Sequence, residues 1–158
     1  MTAYWIKYRV DKEVTFWLSE AYIDLNNLYH MDSVVHFEIT YENKERVQQF
    51  YTKVFDWQLS QMPEFDYLFA NSVEVDEQGK FAHAGAINGG MFKKEPPFTG
   101  PVLVMDVKSI DKTQKKIENH GGEIIVPKQP VGDMGYTAYF KDSEGNILGL
   151  WESNTANA

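Results

Sequence analysis

Between residues 33 and 40 the chain alternates: Val35, Phe37 and Ile39 fall on one parity, His36 and Glu38 on the other. A period of two predicts a strand with one packed face and one face carrying polar groups. Asn43 then suits a helix N-cap, because its side chain can accept from the free amides of a first turn. Val47, Phe50, Tyr51, Val54 and Phe55 recur at spacings of three and four and predict an α-helix. Residues 56–62 predict a strand that Pro63 ends. Residues 67–75 and 81–92 predict two more, joined by a turn at 76–79.

The same order recurs downstream. Residues 101–107 read as a strand. Ser109 or Asp111 can cap a helix that runs through His120, with Ile110, Thr113 and Ile117 as its stripe and Gly121 as its stop. Residues 123–126 read as a strand, followed by Pro127 and Pro130, and 136–141 with 146–152 form a hairpin across 142–145. A period of roughly 65 residues describes a duplicated βαβββ module rather than a solenoid of short repeats. The modules span about 33–92 and 98–152, within a domain of 31–154. Neither half buries both faces of its sheet alone, so each is expected to place one face on its helix and curve the other around a cup.

Alternation assigns the remaining faces. Leu103, Met105 and Val107 are expected toward the helix, and Val102, Val104 and Asp106 toward the cup. Leu148 and Leu150 are expected toward the helix, and Ile147, Gly149 and Trp151 toward the cup. Ahead of the modules, Val14, Trp17, Leu18, Ala21, Tyr22, Leu25, Leu28 and Tyr29 make one helical face. Residues 1–30 therefore read as an N-terminal extension with an amphipathic helix that packs on the domain or on a second copy, or acts as a lid or partner helix.

Composition narrows the function. The 158 residues fit one domain of the usual 100–200, and 43% apolar residues with 15% aromatics are enough for a core. Fifteen basic against 23 acidic residues give a net charge of −8, which disfavours nucleic acid and anionic membranes. The absence of cysteine excludes a thiol nucleophile, Cys-ligated zinc and iron–sulfur clusters. No apolar run reaches 18 residues, so no membrane span is expected. Asp11, Glu13, Glu20 and Asp24 break up any secretory core, and a cytoplasmic protein is expected. No GxSxG elbow, P-loop, GxGxxG or HExxH occurs.

Five segments carry a resemblance: HFEI at 36–39, FYTKVFDW at 50–57, AGAINGGMF at 84–92, VKSID at 107–111 followed by IENHGGEII at 117–125, and KDSEGNILGLWE at 141–152. Together they resemble the vicinal oxygen chelate superfamily, the glyoxalase/bleomycin-resistance/dioxygenase group, and within it the branch related to lactoylglutathione lyase. The resemblance implies an α+β fold of paired βαβββ modules in a cupped mixed sheet, and often a homodimer. Metal-dependent members take one His, Glu or Gln ligand from each of the first, fourth, fifth and eighth strands. Carried over, the first position is His36. The fourth falls among Ala84, Ala86 and Asn88, the fifth is Val102 and the eighth is Gly149. Only His36 keeps a ligand, and one imidazole cannot hold a catalytic metal. No cofactor is therefore expected, with a divalent metal on His36 as the alternative, Glu38 or His83 assisting. Glu152, three residues past Gly149, should face away from the cup.

His36 and Glu38 are the candidate acid–base pair, since two residues apart on a strand they leave the same face and can interact. Trp151, Phe92 and Met91 are candidate walls for a planar or apolar ligand, and Asn88, Val102 and Gly149 complete the expected binding set. Three readings follow. The first is a small-molecule binding protein or metal-independent enzyme. The second is a metal-dependent lyase, isomerase or dioxygenase. The third is a non-catalytic dimeric interaction module.

Overall fold

The computed structural model describes residues 31–154 apart from 64, 77–80, 82 and 84. The amphipathic helix expected within residues 1–30, most of the turn at 76–79, and Ala84 lie outside the described residues. The chain divides after Met31, and the second unit, Asp32–Ala158, carries the fold. Its elements are β1 (Val34–Tyr41), α1 (Lys44–Phe55), β2 (Gln58–Gln61), β3 (Tyr67–Asn71), β4 (Gly89–Lys93), β5 (Val102–Asp106), α2 (Ile110–Asn119), β6 (Glu123–Val131), β7 (Gly135–Lys141) and β8 (Ile147–Ser153).

The eight strands form one mixed sheet in the order β2-β3-β4-β1-β5-β8-β7-β6. Each module repeats one arrangement: its first strand runs parallel to its last, β1 beside β4 and β5 beside β8. The modules join edge to edge within one chain, through the antiparallel pair β1 and β5. This is the paired βαβββ architecture that the duplication implies.

Two cores back the sheet, one per module. Tyr41, Leu68, Ala70 and Met91 are buried with Phe37, Ile39, Val47, Tyr51, Trp57 and Leu59 around them. Val107, Ile110, Ala138, Phe140 and Leu150 form the second, with Met105, Ile117, Ile124 and Leu148. The expected facings hold for Phe37, Ile39, Met105, Val107, Leu148 and Leu150. Leu103 departs from them. It shares the helix-side parity but is 46% exposed, because it lies on the seam between the modules, outside both clusters. Met91, a candidate wall, belongs to the first core and not to the cup.

Both helices start where the sequence places them. Asn43 Oδ1 accepts from Arg46 N, and Ser109 Oγ accepts from Lys112 N. The apolar stripe of α1 is wider than the sheet beneath it. Val47 and Tyr51 pack on the core, while Phe50, Val54 and Phe55 are each more than half exposed.

Three strands have bounds well away from those expected. β6 continues through Pro127 and Pro130 to Val131. It is an edge strand with two register shifts, so the missing amide hydrogens can face outward or fall at a bulge. β3 and β4 are shorter than the runs 67–75 and 81–92. Between Asn71 and Gly89 the ladder gives way to the isolated bridge Val75–Phe81.

Candidate functional site

The face of the seam turned away from the two cores is built from register. Glu38 stands opposite Gly90 in β4 and Val102 in β5. His36 stands opposite Val104, Val104 opposite Gly149, and Gly149 opposite Tyr139. The long polar side chains in this row therefore come from β1 and β7, with Val104 and Gly149 between them.

Two glycines face this row. A Cβ at Gly149 would press on Val104 Cγ2 at 2.9 Å but would only touch Tyr139 Cε1, at 3.4 Å. At Gly90 a Cβ would overlap the phenol of Tyr67, so that tyrosine lies inward only because the position carries no side chain.

Both tyrosines converge on Glu38. Tyr139 Oη donates to Glu38 Oε1 at 3.0 Å, and Tyr67 Oη to the same oxygen at 3.3 Å. Tyr67 Oη also lies 2.8 Å from His36 Nε2. Tyr67 has one hydrogen: with the His36 proton on Nε2 it goes to Glu38, and with the ring N–H given instead to the Asn88 backbone it goes to His36 Nε2. Glu38 Oε2 is left: it is buried and, among the described residues, has no hydrogen-bond partner. The side chains of His36 and Glu38 meet through Tyr67 rather than directly.

The electrostatics follow from burial. Glu38 is only 5% exposed, and desolvation raises its pKa from 4.5 to about 7, against the opposing effect of the Tyr139 and Tyr67 hydrogen bonds. Burial also lowers the His36 pKa, against a hydrogen bond with the Asn88 backbone that favours the charged ring. Tyr67 and Tyr139 are pushed above the usual phenol range by burial first and the Glu38 charge second, so both remain hydrogen donors. The site is a carboxyl poised near neutrality among uncharged donors.

Aromatic rings close the surroundings. Phe92 stacks on Tyr67 with ring centres 6.5 Å apart, Phe98 stands perpendicular to Phe92 at 5.5 Å, and Phe98 meets Tyr139 at 4.8 Å.

Of the expected residues, His36, Glu38 and Phe92 belong to this constellation, and Val102 lies beside Glu38 as a buried apolar neighbour. Trp151 lies along β8 from Gly149, next to Gly135, with its indole N–H donated to Ser153 Oγ. Asn88 serves the backbone. Its Oδ1 accepts from Ser72 N and Val73 N and its Nδ2 donates to Val73 O, which replaces the interrupted ladder of β3 and β4. Glu152 faces the helix side, accepting from Ile110 N at 2.7 Å and from Lys128 Nζ at 2.8 Å. Tyr67, Tyr139 and Phe98 were not singled out from sequence. Parity alone puts Tyr67 with Phe69 and Tyr139 with Thr137, but only the register brings them to Glu38.

The donor set does not fit a divalent metal. Val102 and Gly149 offer no donor atom, Asn88 is engaged by β3, and His36 Nε2 is paired with Tyr67. Among the described residues, no three His, Asp or Glu side chains gather as a metal would require.

The glyoxalase family model matches residues 33–150, the stretch that builds the sheet. The chain belongs to the Glyoxalase/Bleomycin resistance protein/Dioxygenase superfamily. It is 23% identical over 112 residues to the protein named "Putative glyoxylase CFP32" of Mycobacterium tuberculosis, a match that covers 71% of this chain. The chain spans 42% of the length of the curated relatives it matches. Among solved structures, the hypothetical protein BH1468 of Bacillus halodurans C-125 superposes with a TM-score of 0.55 at 15% identity, covering 79% of this chain and 96% of that one. A variant of Streptomyces coelicolor methylmalonyl-CoA epimerase in complex with 2-nitronate-propionyl-CoA gives 0.54 at 12% identity, covering 80% and 100%. At these identities the superpositions establish the glyoxalase-superfamily fold alone.

Proposed function

We propose that this member of the superfamily binds a small organic molecule on the concave face and exchanges a proton with it through Glu38, without a metal. One observation carries the reading. A buried carboxyl on the sheet face away from the two cores has one oxygen held by two phenols, the other without a partner among the described residues, and a pKa of about 7. A group in that state populates both its acid and its base form at neutral pH, the condition for general acid–base work. His36 and Tyr67 hold it in orientation, and Phe92, Phe98 and Tyr139 offer apolar surface to a ligand. The Streptomyces neighbour is described with a CoA ester on the same fold, which agrees with a small-molecule role for the cup.

A thermal-shift screen over small metabolites, run with and without divalent metals, tests this. Hits insensitive to chelator and lost in Glu38→Gln are expected. Stoichiometric Ni, Zn, Fe or Mn bound to purified protein and displaced by the same ligands would replace this reading with the metal-dependent one. A homodimer is our proposal for the working form, supported by the exposed Phe50, Val54 and Phe55 on α1. Sedimentation of the full chain checks it, a monomer at tens of micromolar being the contrary result.

A further inference from the structure

We propose that the molecule taken by this site is a small organic ammonium ion, its N–H directed at Glu38 Oε2 and its carbon framework against the rings of Phe92 and Phe98. This rests on the cup being the binding site and adds the chemical class of the ligand.

The first argument is the partner that Glu38 lacks. Buried carboxylates are ordinarily paired with a cation. Among the described residues the hydrogen-bond partners of Glu38 are two phenols, and both stand at Oε1. Among the described residues, the ion-paired lysines and Arg46 serve other carboxylates. His36 reaches Glu38 only through Tyr67 and is held toward its neutral form by burial.

The second argument is the geometry of Oε2. As a carboxylate oxygen it receives no donor, and as a carboxylic acid its hydrogen would have no acceptor. An ammonium N–H satisfies it and supplies the absent charge in one contact. A carboxylate ligand would set like charges together.

The third is the company of rings. Tyr67, Phe92, Phe98 and Tyr139 follow one another ring to ring, and the first and last of them hold the carboxyl. Their negative faces favour a cation over an uncharged molecule of the same shape. The net charge of −8 draws cations toward the protein from a distance.

Calorimetric titration of the full chain at pH 7.5 with benzylammonium, benzyl alcohol and benzoate tests the class. Benzylammonium should bind about 10-fold tighter than benzyl alcohol or better, the size expected of a desolvated cation–π contact joined to a charged hydrogen bond. Benzoate should be the weakest. Glu38→Gln should weaken the ammonium far more than the alcohol and bring the two to similar affinities. Phe98→Leu keeps an apolar wall without a π face, and should weaken the ammonium more than the alcohol. If the alcohol binds as tightly as the ammonium, the cation assignment is overturned while the cup remains a small-molecule site. If benzylammonium binds equally well to both variants, it binds elsewhere and the assignment also fails. If none of the three binds at millimolar concentration, both readings fall together.

Discussion

Tyr139 and Glu38 lie 101 residues apart in the chain, yet the phenol of one donates to the carboxyl of the other at 3.0 Å. Glu38 belongs to the first module and Tyr139 to the second. The bond therefore crosses the seam and ties the two modules together. Tyr139→Phe removes a donor from a buried carboxyl, at an expected loss of about 1–3 kcal/mol. Because that bond lowers the Glu38 pKa, its removal should raise the pKa further above 7. Denaturant unfolding and a carboxyl titration by NMR check the two effects separately.

Stability should fall with rising pH on account of Glu38. Its folded pKa, about 7, lies above the unfolded value near 4.5. The contribution is thus fully present below pH 4.5 and is lost as pH rises through 7, by roughly 3 kcal/mol in total. His36 acts in the opposite direction. Its lowered folded pKa gives stability that is present above its unfolded value of 6.5 and lost as pH falls. The two slopes overlap, so the difference between wild type and Glu38→Gln isolates the first. Thermal melts from pH 4 to 8 should show the variant gaining on the wild type as pH rises. A constant difference would contradict the burial assigned to this carboxyl.

Gly90 is expected to tolerate no side chain while Tyr67 keeps its place. A Cβ there would overlap the phenol ring, so Gly90→Ala must displace it and break its bonds to His36 and Glu38. Overpacking of this kind costs about 1–3 kcal/mol. In a double-mutant cycle with Tyr67→Ala the combined loss should be smaller than the sum, since the clash is gone once the phenol is removed. Additive losses would show that Gly90 does not act through Tyr67.

Glu152 should matter for the fold and not for the cup. It accepts from the first amide of α2 and pairs with Lys128, two contacts at a helix N-terminus. Glu152→Ala is expected to destabilise by about 1–2 kcal/mol and to leave ligand hits from the screen unshifted. Loss of binding with unchanged stability would instead place Glu152 in the site.

The fold was readable because two periodicities recur in one order. Val35 to Ile39 alternate, Val47 to Phe55 recur at helical spacing, and Leu103 to Val107 with Ile110 to Ile117 repeat the pair. His36 and Glu38 were readable for the same reason, since parity alone sends both to one face. Tyr139 was not, because its role depends on the register that sets it across Gly149 and Val104 from β1. Asn88 was misleading for a local reason. A carboxamide at a strand end looks available to a ligand, but here it closes the gap in its own ladder through Ser72 and Val73. Trp151 shows the limit of parity: it shares a face with Gly149, and its indole is turned to Ser153 beside Gly135.

Titrating the glutamate carboxyls by NMR in selectively ¹³C-labelled protein, with and without equimolar zinc or nickel, addresses the site most directly. One carboxyl, absent from the spectrum of Glu38→Gln, should titrate near pH 7 and keep its midpoint when metal is added. A Glu38 that titrates with the surface glutamates near 4.5, or whose midpoint collapses on addition of metal, would contradict a metal-independent acid–base site.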